Sequence, residues 1–359
     1  MADTRVLPVS NVKYGLKAET SFGVGLDSSG ADSTAYITQP AVQVEKPTFN
    51  ILRESRLLSG RGLVKNAADT ITNLRGGTVT MPFDMIATPR TLVQHAMLVG
   101  QESGTSGSTL HEMEIDGSSN PSSIGGSISS GVPHSVNLAY YPAAGEGIKV
   151  CGVVCSDLTI TGDVGANNGL ISISGNYFSG FSNPVASSTA LEQTFDGAFV
   201  DAQTQYFNLL DFDTRTLDVE GNANQNFIMK AFSFNISNGV NRVGADTNGN
   251  AELYAFPEYV ITGSITIKYD DLFDYSAGTN VIQDFLDGDT MTLNLICGDS
   301  EPDAAGEMEI TAEIQYTGDP GQDLSESGVF HTLEFECVQN GSNEAFKLQV
   351  FENTALTAM

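Results

Sequence analysis

Four histidines (His95, His111, His134, His331) and four cysteines (Cys151, Cys155, Cys297, Cys337) are the side chains best suited to hold a metal or attack an electrophile. Their spacing excludes the common arrangements. His111-Glu112-Met113-Glu114 begins like a zinc-protease helix, but no second histidine follows at helical spacing. No Cys-x-x-Cys or His–Cys ligand spacing occurs. Cys151 and Cys155 lie four apart on one predicted strand, about 13 Å by strand rise, too far for a disulfide, and all four cysteines read as buried thiols. Asp246-Thr247-Asn248-Gly249-Asn250 resembles a calcium loop, but its glycine is fourth rather than sixth and Pro257 occupies the twelfth position, so it reads as a turn. Asp211 and Asp213 have no apolar pocket implied to raise a pKa. Neither a GxSxG elbow nor a Walker loop is present. The chain is expected to be structural, not an enzyme, with no metal and no cofactor.

Charge says more than motifs. The 359 residues carry a formal net charge of −28. Residues 1–150 hold 11 basic and 13 acidic side chains, net −2, and residues 151–359 hold 5 and 31, net −26. Such a surface repels phosphate, which excludes binding nucleic acid by attraction and fits a surface that lies near DNA without holding it. No run of about 18 apolar residues exists, so no membrane span is expected. The first residues lack the basic and apolar regions of a signal peptide, which points to synthesis in the cytoplasm.

The elements that carry these residues form a repeat. Gly77-Thr78-Val79-Thr80-Met81-Pro82-Phe83-Asp84 aligns with Gly263-Ser264-Ile265-Thr266-Ile267-Lys268-Tyr269-Asp270 at an offset of 186. Ile265, Ile267 and Tyr269 fall on Val79, Met81 and Phe83, with the period of two of a half-buried strand. A short helix-compatible run follows each copy, Thr91–Val99 and Asn280–Asp287, closed by Gly100 and Gly288. Upstream, Phe49-Asn50-Ile51 recurs as Phe234-Asn235-Ile236. The expected fold is mainly β, with two tandem β-sandwich domains, each with one short helix, plus an extended N-terminal arm and long loops. Its boundaries are an arm at 1–40, a first domain at 41–180, a connection at 181–226 and a second domain at 227–359.

Along the chain, Pro82 marks an edge strand or a strand end. Gly117–Gly131, with 11 of 15 residues Gly or Ser, is a loop, and Gly152 suggests a bulge in a long strand over 148–161. In Glu307–Tyr316, Met308, Ile310, Ala312 and Ile314 face one way and Glu307, Glu309 and Glu313 the other. In 329–338, Leu333, Phe335 and Cys337 oppose Glu334 and Glu336. Like charges crowded on neighbouring strands are unfavourable, so these five carboxylates are candidates for a functional wet face. The one basic cluster is Lys46, Arg53, Arg56, Arg61 and Lys65, interleaved with Phe49, Ile51, Leu57 and Leu58, a candidate docking segment for an acidic neighbour.

Several stretches resemble the tail tube (major tail) proteins of tailed bacteriophages. They are Tyr14-Gly15-Leu16-Lys17-Ala18-Glu19-Thr20-Ser21-Phe22-Gly23, the run 149–161 with Gly169-Leu170-Ile171-Ser172-Ile173-Ser174-Gly175, and 232–240 with 259–269. The resemblance spans about residues 12–350, and the duplication points to the variety with two tube domains per chain. It implies a virion protein, assembled in the host cytoplasm, that stacks as homotrimeric pseudo-hexameric rings, or alternatively hexameric rings, into a tube through which viral DNA is ejected without specific binding. The lumen candidates are then Glu307, Glu309, Glu313, Glu334 and Glu336. Contact candidates between rings are Lys46, Phe49, Ile51, Arg53, Arg56, Leu57, Leu58, Arg61 and Lys65. Implied partners are other copies and the tape measure, tail tip and terminator proteins, with no membrane. Rival readings are a capsid-decorating or adhesive β-sandwich protein and a polysaccharide-active enzyme.

Overall fold

A computed structural model describes residues 12–19, 22–23, 36–39, 41–50, 53–55, 70–72, 77–102, 110–115, 135–141, 148–181, 195–196, 206–219, 222–245, 250–268, 280–298, 307–318 and 330–351. They are mainly β. The strands are β1 (Lys13–Ala18), β2 (Tyr36–Thr38), β3 (Ala41–Val44), β4 (Thr48–Asn50), β5 (Arg53–Ser55), β6 (Thr70–Thr72), β7 (Thr78–Ile86), β8 (Gln101–Glu102), β9 (Leu110–Ile115), β10 (Val136–Tyr141), β11 (Ile148–Asp163) and β12 (Ser172–Ser179). After them come β13 (Phe195–Asp196), β14 (Phe212–Val219), β15 (Asn222–Asn226), β16 (Met229–Ser237), β17 (Asn241–Val243), β18 (Leu253–Ala255), β19 (Val260–Lys268), β20 (Met291–Cys297), β21 (Met308–Tyr316), β22 (Phe330–Cys337) and β23 (Phe346–Phe351). Helix α1 (Pro89–Val99) follows β7, and α2 (Val281–Asp287) follows β19.

One order of pairing occurs twice. β1 pairs with β10, β10 with β11, β11 with β12, β12 with β7, and β7 with β3 and β4. In the second half β14 pairs with β20, β20 with β21, β21 with β22, β22 with β19, and β19 with β16. Even the opening hairpins correspond, β1 with β2 and β14 with β15. The two units are not separate in the sheet. β11 pairs with β16 over Asp157–Asp163, and β9 pairs with β23, so the expected 180/227 division is crossed by two antiparallel ladders.

Alternation explains the strands. In β7 the side chains of Val79, Met81, Phe83 and Met85 are buried while their neighbours are half-buried or exposed, and in β19 Ile261, Ile265 and Ile267 are buried in the same phase. Tyr269, the third aligned residue, lies outside the described residues. The buried faces of both units meet in one core that runs from Tyr14 and Leu16 to Leu348 and Val350. Two cross-strand pairs seat a phenylalanine ring over a glycine: Phe83 against Gly175 and Phe335 against Gly263. A Cβ at Gly263 would stand 2.5 Å from the Phe335 ring, so close approach, not flexibility, requires this glycine. α1 starts where Pro89 supplies the helical φ and Thr88 and Thr91 form a reciprocal cap, and every residue of it but Arg90 is buried. α2 ends at Gly288, whose φ of 71° is left-handed.

Several expectations are corrected. The N-terminal segment is no free arm over residues 13–18: β1 is an integral strand, with Tyr14 and Leu16 buried in the core. The segment read as a connection contains β14, which pairs along β20 and buries Phe212, Leu217 and Val219. Pro82 is not on an edge. β7 has neighbours on both sides, and Pro82 falls in the gap where one neighbour passes from β3 to β4, so its missing N–H interrupts no ladder. At Gly152, by contrast, the register of β10 against β11 slips as expected, and its φ is +60°. The slip sends Cys151 into a second small core with Phe181 and Tyr254, while Cys155 faces the main one.

Candidate functional site

The central sheet runs β7–β12–β11–β16–β19–β22. Residues directly opposite one another on a sheet share a face, so the printed registers can be followed across all six strands. One row reads Asp84, Ser174, Thr159, Asn235, Thr262, Glu336. The next reads Ile86, Ser172, Thr161, Ser233, Ser264, Glu334. Shorter rows read Pro82, Asn176, Asp157, Ser237, Val260 on one side and Asp163, Ala231, Thr266, Thr332 on the other. None of these side chains is buried. The rows between them are apolar and close onto the core, for example Met85, Ile173, Ile160 and Phe234. The result is a face made mostly of hydroxyls, amides and carboxylates, with Pro82, Ile86, Ala231 and Val260 the apolar members of its rows.

Its polar groups bond among themselves. Thr161 and Ser172 hydroxyls lie 2.8 Å apart, and those of Thr266 and Thr332 2.9 Å apart. Ser156 donates to Asp157 at 2.8 Å, and the Asn176 amide donates to both oxygens of the same carboxylate at 3.2 Å. Neutral groups that satisfy one another offer a passing polyanion no strong donor, and the carboxylates repel it. Nothing on this face activates a nucleophile. The described histidines are buried elsewhere: His95, in α1, donates from Nδ1 to the Thr91 carbonyl at 2.7 Å and accepts at Nε2 from the Tyr177 hydroxyl at 2.5 Å. Burial lowers its pKa to about 4, so the ring stays neutral. Among the described residues no group of three or more His, Cys, Asp or Glu is placed to hold a metal ion.

The five candidate carboxylates do not form one surface. Glu334 and Glu336 are exposed on the central face. β21 meets β22 only at Ile314–Tyr316; the rest of it runs between β20 and β23. Glu309, opposite Ile296 and Gln349, is six residues from Gln315, the partner of Glu336, or about 20 Å along the strand. Glu307 lies farther along still. Glu313 is not on a wet face at all: it is 2 % exposed and accepts from the Thr292 hydroxyl at 2.8 Å and from the Asn343 and Asn340 amides at 3.0 and 3.3 Å. It ties down the turn between β22 and β23. Alternation located the polar side of β21 correctly but could not show that a polar position was capped by a turn returning over it.

Of the basic segment, Lys46 is exposed and Phe49 packs half-buried on the core. Arg53 lies in β5, which among the described residues pairs with β6 in a two-stranded sheet. Ile51, Arg56, Leu57, Leu58, Arg61 and Lys65 lie outside the described residues.

Two buried polar residues that tie distant segments together were not singled out by the sequence. Glu19 is 2 % exposed and accepts from the Gly152 N–H at 2.6 Å, the Ser135 hydroxyl at 2.5 Å and the Gly23 N–H at 3.0 Å. Burial raises its pKa despite these donors. Asn238, fully buried, donates to the carbonyls of Val99 and Cys155 and so joins α1 and β11 to the end of β16. Compared with known proteins, the chain matches no family model and no curated protein.

Proposed function

We propose that this chain is a structural virion protein that polymerises as stacked rings into a phage tail tube, a conduit for DNA ejection. The observation that carries the reading is the β11–β16 ladder between corresponding units. β16 is the counterpart of β3 and β4, since each lies before and against the strand that leads to a helix. β11 is the counterpart of β21. The join is therefore heterologous, and the same join repeated between chains would bring the Tyr316 end of β21 to the outer edge of β3 and β4 of another chain. Among the described residues no strand pairs with that edge. A heterologous contact makes a ring when its rotation closes, and such a ring would leave no open sheet edge. Three chains supply six units, and the hydroxyl-and-carboxylate face runs continuously round one side of the sheet.

That face suits a passage for DNA. A wall rich in Lys and Arg would hold each phosphate and slow transit, whereas this one repels the polyanion and offers no ion-pair partner over most of its rows. The basic segment 46–65 is proposed to contact an acidic neighbouring subunit.

Negative-stain electron microscopy of the purified protein tests the assembly: rings or hollow tubes are expected, and monomers at every concentration would refute it. The wall is tested separately. Tubes of an Asp84→Lys, Glu334→Lys, Glu336→Lys variant are expected to retain DNA on a filter at low salt where wild-type tubes do not. Equal retention by both would place the channel on another face.

A further inference from the structure

The dipeptide Asn-Gly occurs four times, at Asn168-Gly169, Asn238-Gly239, Asn248-Gly249 and Asn340-Gly341. Asparagine is thermolabile, and before glycine most of all, because no Cβ keeps the following backbone nitrogen away from the side-chain amide carbon. Asn248-Gly249 lies outside the described residues. The other three are alike in sequence and differ in what holds them. Asn238 is fully buried, and its side chain is fixed by the carbonyls of Val99 and Cys155 and by the Val240 N–H. At Asn168-Gly169 the nitrogen that would react is engaged, since the Gly169 N–H donates to the Ala166 carbonyl at 2.9 Å. Asn208 Nδ2 donates to the Asn168 carbonyl at 3.2 Å, and Gly169 is itself buried.

Asn340-Gly341 differs on each count. Residues 339–343 are exposed, in the turn between β22 and β23. The turn is closed by the Asn343 N–H on the Asn340 carbonyl at 3.0 Å, a bond that does not use the Gly341 N–H. Gly341 has a φ of +64°, and among the described residues no atom lies within 4 Å of where its Cβ would stand. The Asn340 side chain reaches Glu313 Oε2 from Nδ2 at 3.3 Å, longer than the 2.8 and 3.0 Å bonds that the same carboxylate accepts from Thr292 and Asn343.

We infer that Asn340-Gly341 is a self-modifying site, which converts to aspartate and isoaspartate, and that the product releases the 339–344 turn from Glu313. The Gly341 nitrogen gives up its proton and bonds to Cγ of Asn340. The Cγ–Nδ2 bond breaks, and Nδ2 leaves as ammonia with that proton, closing a succinimide ring. Water then opens the ring at either carbonyl, leaving the carboxylate on the side chain or, with the chain rerouted through Cγ, on the main chain. One water is consumed, one ammonia is released and nothing is oxidised.

Glu313 gives the change its consequence. Its carboxylate is 2 % exposed, so it has little water to screen a neighbour. Where Asn340 donates to it, the product places a second carboxylate, which removes a hydrogen bond and adds like-charge repulsion. The main chain at Glu313 is also a junction. Its N–H donates to the Ala345 carbonyl at 3.1 Å, its carbonyl accepts from the Val338 N–H at 2.8 Å, and the Ala345 N–H donates to the Ile115 carbonyl at 2.9 Å. The turn is therefore a latch over the place where β9, β21, β22 and β23 meet, and deamidation opens it once, irreversibly. This holds for the single chain, whether or not it assembles.

The site is tested by incubating the folded protein at mildly alkaline pH and following each asparagine by peptide mapping with mass spectrometry. Asn340 is expected to be lost at least about tenfold faster than Asn168 or Asn238, and the three rates to converge within about threefold in urea, where folding protects none of them. Loss at Asn340 no faster than at the other two in the folded protein would overturn the site. The release is read from hydrogen exchange of the 339–344 amides in Asn340→Asp and Asn340→Ala variants, both at an exposed position. Each drops the bond to Glu313, but only the Asp variant adds charge. Exchange in the Asp variant should be faster than wild type by about fivefold or more, with the Ala variant between them. An Asp variant that exchanges like wild type, or no faster than the Ala variant, would overturn the release.

Discussion

Replacing Asn238 probes the joint between the two units. Its side chain is fully buried; Nδ2 donates to the Val99 carbonyl at 3.0 Å and the Cys155 carbonyl at 2.7 Å, and Oδ1 accepts from the Val240 N–H at 3.1 Å. Val99 is the last residue of α1, and Cys155 sits where the register of β11 slips against β12. Asn238→Ala leaves two buried carbonyls and one N–H without a partner. At about 1–3 kcal/mol for each unsatisfied group, with some relaxation, the loss is about 3–6 kcal/mol. Asn238→Asp keeps the shape but turns a donor into an acceptor that faces two carbonyl oxygens. A carboxylate there is desolvated, so its folded pKa rises above the unfolded value near 3.9. The sign follows: the folded state holds the proton more tightly, so the added cost is absent below the unfolded pKa and grows by about 1.4 kcal/mol for each pH unit up to the folded pKa. Urea unfolding midpoints at pH 5 and pH 8 measure both effects. The Ala variant should lose the same amount at each pH, and the Asp variant more at pH 8. An Ala variant within about 0.5 kcal/mol of wild type, or an Asp variant indifferent to pH, would refute the reasoning.

Gly263→Ala should cost about 2–3 kcal/mol, because the new Cβ meets the Phe335 ring at 2.5 Å and the Ser233 carbonyl oxygen at 2.6 Å. Adding Phe335→Leu should relieve the ring clash but not the backbone one, so the two changes combine less than additively in denaturant titrations. Glu313→Ala should release the turn at 339–344, with amide exchange there faster by about 5- to 150-fold, equivalent to about 1–3 kcal/mol, and little change at β11. Lys347 reaches Glu112 at 2.8 Å and Glu114 at 3.5 Å across the β9–β23 ladder. Burial opposes its charge, yet the Glu112 hydrogen bond and the surrounding carboxylates leave its pKa raised. Its contribution is therefore present below the unfolded pKa near 10.4 and lost as pH rises through the folded value. Lys347→Met should lower stability by about 1 kcal/mol at pH 7, with the gap closing above about pH 11 in thermal melts.

Period-two alternation was enough to place β7, β19, β21 and β22 close to their observed bounds, and the closing glycines marked both helices. The repeat was legible for the same reason: Val79 and Met81, like Ile265 and Ile267, are buried in one phase because a strand turns a side chain inward at every second residue. Local pattern could not show which strand lies beside which. β9 looked like a failed metal motif, yet it pairs with β23, more than 200 residues away in sequence, because its buried face, His111, Met113 and Ile115, completes the core. β14 was hidden in an acid-rich stretch whose few apolar residues become a core face only against β20. The acidic candidates divided for the same reason. Glu334 and Glu336 join a wet face through ladder partners on β19, whereas Glu313 is covered by a turn that returns over it. Periodicity thus determines which side of a strand is polar; what that side faces depends on neighbours that only the pairing of distant strands supplies.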